Sequence, residues 1–303
     1  MLARSLRQAR LASAALASLA LMSGCQATEI QPSLPLAPGE VWKLSVGDLA
    51  TGDVAYWRVE TWREQVQNAL IERCVHSDGA EGYTPTPIVP DAMAAALGDP
   101  NYASRSGYGI AAAMQATQNS HENADLDRIL LGSDTGMLQV TMPGSYTMMV
   151  PRSGCFARAR EELGSGDIIS WARVEYLPEQ LQSWVVSTTP ETAAMREAQA
   201  KWRSCVAVAG YRVEKPSDLR QALQASAPSI PSAFPTSDSF ASAEVAAAET
   251  DLRCQDVSNL RTASATAYAI RAGQLDQDQH TQGVAVIQSI RNAALWVAKN
   301  QGK

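Results

Sequence analysis

The stretch Thr189-Pro190-Glu191-Thr192-Ala193-Ala194-Met195-Arg196-Glu197-Ala198-Gln199-Ala200-Lys201-Trp202-Arg203-Ser204-Cys205-Val206-Ala207-Val208-Ala209-Gly210 decides the fold. Met195, Ala198, Trp202, Cys205, Val206 and Ala209 recur at steps of three and four, which places them on one stripe of a helix with charged residues between. Thr189 is suited to cap the start, Pro190 to occupy the first turn, and Glu191 to sit at the positive end of the helix dipole. Gly210 ends the run, since only glycine adopts the left-handed exit of a helix at little cost. The spacing predicts one continuous helix over 191–209.

Outward from this helix the same period returns. Cys155–Leu163 reads as a short helix closed by Gly164, and Leu181–Val186 as the end of another. Ser217–Ala225 follows, then a Ser/Pro-rich loop at 227–238. From Phe240 to Lys299 nearly every residue favours helix, with a break expected near Gly273 or Gly283. Toward the N-terminus, Val59, Trp62, Val66, Ala69 and Arg73 set a helical stripe over 54–74, after which Pro85, Pro87 and Pro90 forbid helix. Between Asp99 and Gly154 the apolar residues keep no steady period, so the stretch is either a surface excursion or a set of short hidden helices. The expected class is all-α: an Ala-rich helical bundle with a long C-terminal helical region and almost no sheet.

The first 25 residues are of another kind. Arg4, Arg7 and Arg10 form a positive segment, and Leu11–Met22 is an apolar run of about a dozen residues, too short for the ~20 needed to span a bilayer. It ends Leu21-Met22-Ser23-Gly24-Cys25. Small residues directly before a cysteine at the end of such a run resemble the lipobox of bacterial lipoproteins, although Met22 stands where leucine is usual. The resemblance implies cleavage after Gly24 and a diacylglyceryl lipid on Cys25; an ordinary secretory signal is the other reading. Residues 25–40, with Pro32, Pro35 and Pro38, read as an extended tether, and 41–303 as the folded envelope domain. The expected location is the outer face of a bacterial cell membrane.

The chain of 303 residues carries 25 basic and 31 acidic side chains; the first 24 residues hold three of the former and none of the latter, leaving the mature chain at net −9. That charge argues against nucleic acid as a partner and against general adhesion to anionic lipid.

Beyond Cys25 there are four cysteines, Cys74, Cys155, Cys205 and Cys254, without a Cys-x-x-Cys pair. An even number in an exported chain favours two disulfides, for which three connectivities exist. An internal echo favours one. Arg73-Cys74-Val75 precedes Gly82-Tyr83 and prolines, and Arg203-Ser204-Cys205-Val206 precedes Gly210-Tyr211 and Pro216. If halves 41–165 and 166–303 are built alike, Cys74 bonds Cys155 and Cys205 bonds Cys254; chance agreement of two helix ends is the alternative.

These positions, with Tyr108-Gly109-Ile110, Gly154-Cys155, Leu163-Gly164 and Asp251-Leu252-Arg253-Cys254, resemble a group of uncharacterised secreted lipoproteins of actinobacteria. The resemblance runs over 60–299. Members usually carry Met after the two helix-end cysteines, where this chain has Val75 and Val206. It implies an envelope compartment and an all-helical fold, and no particular reaction.

Motifs of catalysis are sparse. His76, His121 and His280 stand apart, and His121-Glu122 lacks the second histidine of a helical zinc site, Asp125 being in its place. There is no Gly-x-Ser-x-Gly elbow and no phosphate-binding Gly-Lys-Ser/Thr loop. Asp125/Asp127 and Asp276/Asp278 are the closest carboxylate pairs, and such clusters are usually solvated faces. Trp62 and Trp202, on helical stripes, are expected in the core, and Trp42 and Trp57 are expected to be more exposed. The expectation is therefore no catalytic residue, cofactor or metal, and a non-catalytic binding or interaction module whose partners are the membrane, through the lipid on Cys25, and an envelope ligand or protein. The alternative is a hydrolase whose carboxylate pair is assembled only by folding.

Overall fold

The structure, a computed structural model, describes residues 34–80, 83, 85, 105–119, 124–132, 136–143, 146–227 and 238–301. Cys25 and the segment before it, His121, Pro87, Pro90 and most of the loop at 227–238 lie outside the described residues.

Among those described, the chain forms eleven α-helices and one hairpin. After a 3-10 turn at Gly39–Trp42 come α1 (Val46–Thr51), α2 (Val54–Ser77), α3 (Ile110–Asn119) and α4 (Ala124–Leu131). Strands β1 (Met137–Thr141) and β2 (Thr147–Pro151) follow, then α5 (Gly154–Leu163), α6 (Ile168–Thr188), α7 (Ala193–Val208) and α8 (Pro216–Ser226). The C-terminal region is α9 (Asp238–Val257), α10 (Leu260–Ala272) and α11 (Gln277–Asn300). The fold is thus an all-α bundle with two inter-helix disulfides and a long helical C-terminal region, as the periodicity predicts.

Several details differ from the sequence reading. Helix α7 is capped by Thr192, whose hydroxyl accepts from the Met195 N–H, and not by Thr189. Thr189 instead closes α6, its N–H and hydroxyl both donating to the Val185 carbonyl, so its side chain is already committed. The unperiodic middle segment holds α3, α4 and an antiparallel hairpin in which Leu138 faces Val150 and Val140 faces Met148. The C-terminal region breaks at Gly273, as expected, but also at Asn259, which sits at φ +60°, a conformation asparagine tolerates better than other non-glycine residues. Gly283 makes no break. It lies inside α11, where an added Cβ would come within 2.7 Å of Val46 Cγ1, so glycine there allows α1 to press against α11.

Within the segment 25–40 expected to be an extended tether, the described residues from Leu34 onward pack on the bundle. Leu34 is buried, the Trp62 indole donates to the Pro35 carbonyl, and the Gln301 amide donates to the Leu34 carbonyl.

Most apolar burial is in one core. Trp62, Val66 and Leu70 of α2 pack with Cys155 and Leu163 of α5, Trp171, Leu177 and Leu181 of α6, and Ile287, Ile290 and Val297 of α11. A second cluster joins Ala198, Trp202 and Val206 of α7 to Cys254 and Leu260. A third packs Tyr108 and Ile110 against Phe240, Ala247 and Ala248 of α9. The cores therefore do not divide at 165/166: α6 and α11 from the second half complete the core of the first, and Tyr108 crosses to α9.

Both disulfides have the expected pairing. Cys74, in the last turn of α2, bonds Cys155 in the first turn of α5, and Cys205, in the last turn of α7, bonds Cys254 on α9; each pair has its Cα atoms 5.6 Å apart, inside the range a disulfide bridges without backbone movement.

Candidate functional site

Two buried polar clusters, one in each part of the bundle, concentrate what chemistry the fold brings together. The first lies on α9. Glu244 and Asp251 are two helical turns apart on one face of it, about 10 Å along the axis, and both are buried. The Glu244 carboxylate accepts from the N–H groups of Ile110 (2.7 Å) and Ala111 (2.9 Å). It caps α3 from outside, and its negative charge meets the positive end of that helix. The close approach requires Gly107: a Cβ there would lie 2.7 Å from Glu244 Cγ, and its φ of +60° suits glycine.

Asp251 is the acceptor for three donors. The Tyr108 hydroxyl reaches one oxygen at 2.7 Å; the Trp202 indole N–H and the Gln255 amide reach the other, each at 2.9 Å. Burial raises the Asp251 pKa from its ordinary value, and the hydrogen bonds from Gln255, Tyr108 and Trp202 act against that rise. Burial, with the adjacent Asp251 carboxylate, pushes the Tyr108 hydroxyl far upward, so the phenol stays a neutral donor. This cluster ties α3, α7 and α9 together beside the Cys205–Cys254 bond.

The second cluster joins α2, α5 and α6. Glu175 accepts two-pronged hydrogen bonds from Arg160 (2.8–3.0 Å) and one from the Gln67 amide at 2.7 Å. The Gln67 oxygen accepts from Arg63 and from the Trp171 indole, both at 3.0 Å. Arg63 in turn pairs with Glu60 one turn back. Two cations thus meet two carboxylates through one amide, which is how charge is tolerated in an interior. The Arg160 guanidinium lies 5.9 Å from the Phe156 ring centroid, and its Nη1 is buried with no hydrogen-bond acceptor among the described residues.

The residues singled out from sequence fall elsewhere. Asp276 caps α11 through the Gln279 N–H, and Asp278 is exposed, taking a bond from Gln282. Asp125 pairs with Arg128 on the exposed start of α4, and Asp127 is exposed beside it. Asp125, Asp276 and Asp278 each bond a group of the helix they open. His76 is exposed, with its ring Nε2 3.1 Å from the Tyr83 carbonyl oxygen, and His280 is exposed. Trp62 and Trp202 are buried as expected; Trp42 is exposed and Trp57 half-buried. Cys74, Cys155 and Asp78 lie close enough to suggest a metal triad. The two sulfurs are bonded to each other and Asp78 is paired with Arg158, so the group is a disulfide with a neighbouring ion pair.

Sequence reasoning passed over Glu244, Glu175, Arg63 and Gln67, because charged or amide residues on helices normally face water. Their one signal was position. Gln67 follows Arg63 by four and precedes Leu70 and Ile71, inside the apolar arc.

The chain matches no protein-family model, no curated protein and no solved structure. Among the described residues no helix is long and apolar enough to cross a membrane.

Proposed function

We propose that this chain is a lipid-anchored protein of the bacterial cell envelope, held on the outer face of the membrane through Cys25, and that its folded part is a non-catalytic binding or interaction module. The observation that carries the reading is the succession of Arg4, Arg7 and Arg10, the apolar run 11–22 and Ser23-Gly24-Cys25. The two disulfides support it, since such bonds persist in oxidising compartments and are rare in the cytosol. So does the resemblance to secreted actinobacterial lipoproteins. The non-catalytic half rests on how the buried acids are used: Glu244, Asp251 and Glu175 each accept at least two hydrogen bonds from groups that hold helices together. A hydrolase would need an acid free to meet substrate.

Cys25→Ala in the native host tests the anchor. Wild type incorporates labelled palmitate and pellets with membranes; the variant is exported but unlabelled and released. Equal labelling of both chains counts against Cys25 as the lipid site. The binding half is tested by capture of the lipidated chain on purified cell-wall material against a disulfide-reduced control. Hydrolysis of that material, abolished by Glu244→Gln or Asp251→Asn in a chain that remains folded, would favour the enzyme instead.

A further inference from the structure

We infer that the face built by residues 34–44 and the second half of α11 lies against the anionic surface of the membrane that carries the lipid, with Trp42, Leu36 and Leu295 entering its interfacial layer. The inference rests on the lipid being on Cys25.

The N-terminal segment runs back along α11. The Gln301 side chain holds the Leu34 carbonyl at its start, and Arg291 donates to the carbonyls of Val41, Trp42 and Leu44 at its end. Leu295 is one helical turn beyond Arg291 on the same face of α11, and Val284 two turns before it. Three apolar side chains are left in water here: Leu36 is 67 % exposed, Trp42 50 % and Leu295 59 %; Val284, 49 % exposed, continues the face into the first half of α11. Their backbones are held in place, so the exposure is a property of a built surface. Tryptophan in particular places an apolar ring and one N–H donor where lipid tails meet headgroups.

Charge selects the occupant. The mature chain is net acidic, yet residues 284–300 contain Arg291 and Lys299 and no acidic residue. On the facing segment Lys43 is exposed, and the one acid, Glu40, is paired with Arg58. A locally basic, apolar face on an acidic body is attracted to anionic headgroups while the rest of the body is repelled, which fixes an orientation as well as a contact. General adhesion is not expected from net charge, and this face does not require it: the lipid supplies the attachment, and the face needs only to win the choice of orientation.

Chain length supplies the proximity. Nine residue steps separate Cys25 from Leu34, a contour of at most ~30 Å. Leu34 opens this face, so a lipid on Cys25 keeps Leu36 and Trp42 at high effective concentration near the bilayer.

The test reconstitutes the full lipidated chain in vesicles of phosphatidylcholine and phosphatidylglycerol, with and without bromine on the acyl chains. The emission lost in Trp42→Phe isolates the Trp42 signal. The expected result is co-sedimentation of wild type and loss of most of the Trp42 emission in brominated vesicles, while Cys25→Ala stays in the supernatant. Co-sedimentation with Trp42 unquenched overturns the membrane-facing surface and leaves the anchor standing. Failure of wild type to sediment overturns the anchor, and this inference with it. Trp42 emission that is unquenched but shifts to the blue as protein density rises would overturn the inference in favour of a second copy of the chain on this face.

Discussion

Tyr108 donates its phenolic hydrogen to Asp251 across 2.7 Å and 143 residues of sequence. The bond joins a glycine-flanked turn in the first half of the chain to the middle of α9. Three residues further along α9, Cys254 carries the covalent bond to α7. A hydrogen bond and a disulfide thus hold neighbouring turns of one helix to two different partners, and Trp202, donating to the same carboxylate from α7, links the two.

Removal of that phenolic oxygen should be costly for its size. Tyr108→Phe keeps the ring in its apolar setting and takes one donor from a buried carboxylate, a loss of about 1.5–3 kcal/mol for a hydrogen bond to a charged group. Urea unfolding checks it. A change within error of zero would mean that the remaining donors, Trp202 and Gln255, satisfy Asp251 unaided.

Asp251 should also make stability depend on pH in an unusual direction. Its folded pKa is raised by burial, so over the window between the unfolded value, about 3.9, and the folded one, the native state binds the proton and the unfolded chain does not. Stability from this group is full below that window and falls as pH rises through the folded pKa. The difference in unfolding free energy between wild type and Asp251→Asn should therefore shift against wild type as pH rises from about 4 toward neutrality. A shift in favour of wild type would show that the three donors outweigh burial.

Glu175 makes a harsher case, because it neutralises a buried cation. In Glu175→Ala, Arg160 loses its two-pronged partner while both side chains sit in the interior. Breaking a buried pair from one side costs about 3–5 kcal/mol, whereas replacing both members with apolar residues of similar volume is far milder. Arg160→Met combined with Glu175→Leu should accordingly be more stable than Glu175→Ala alone. Thermal unfolding of the three chains decides it, and a double variant no better than the single one would show that Gln67 and Trp171 also depend on the carboxylate.

The contrast between these residues and α7 marks how far the sequence was readable. Helix α7 announces itself through a local period, a cap and a terminal glycine, all within twenty residues; its start was misplaced because two threonines compete for neighbouring helix ends, so Pro190 and Glu191 lie ahead of the Thr192 cap, and Ala209, expected on the buried stripe, is exposed. The cysteine pairing was reachable because an even count and an internal echo leave few arrangements. Glu244, Glu175 and Gln67 were not reachable. A buried carboxylate is defined by its donors, and those of Glu244 are backbone N–H groups more than 130 residues away, which no side-chain pattern records. The hairpin at 137–151 did leave a trace, alternating apolar residues on either side of Pro143-Gly144, but strands of five residues are too short to stand out against unperiodic flanks.

Gly283 offers a test of how closely α1 and α11 are fitted. Gly283→Ala puts a methyl within 2.7 Å of Val46 Cγ1, while its helix propensity would favour alanine by about 1 kcal/mol. Overpacking should prevail, with a net loss of up to about 2 kcal/mol, and Val46→Ala in the same chain should recover most of it. The coupling in that double-variant cycle is the measurement, and additive effects would mean that the helices part without cost.

The disulfide between Cys205 and Cys254 should contribute more than any single contact in its part of the bundle. It encloses a loop of 48 residues, and closing a loop of that length restricts the unfolded chain by about 4 kcal/mol on the chain-entropy account. The second helical cluster is small, with Ala198, Trp202, Val206 and Leu260 as its buried apolar residues beside Cys254, so it has little else with which to offset the ordering of α7 and α8. Cys205→Ser with Cys254→Ser should lower stability by roughly that amount. Hydrogen exchange should then quicken first in α7 and α8, while α2 and α5, joined by Cys74–Cys155, and α6, packed in the same core, keep their protection. Non-reducing peptide mapping of wild type must find Cys74 with Cys155 and Cys205 with Cys254. Exchange that quickens equally in α2 and α7 would show that the two covalent staples act on one cooperative unit, and that the loss of either is felt throughout.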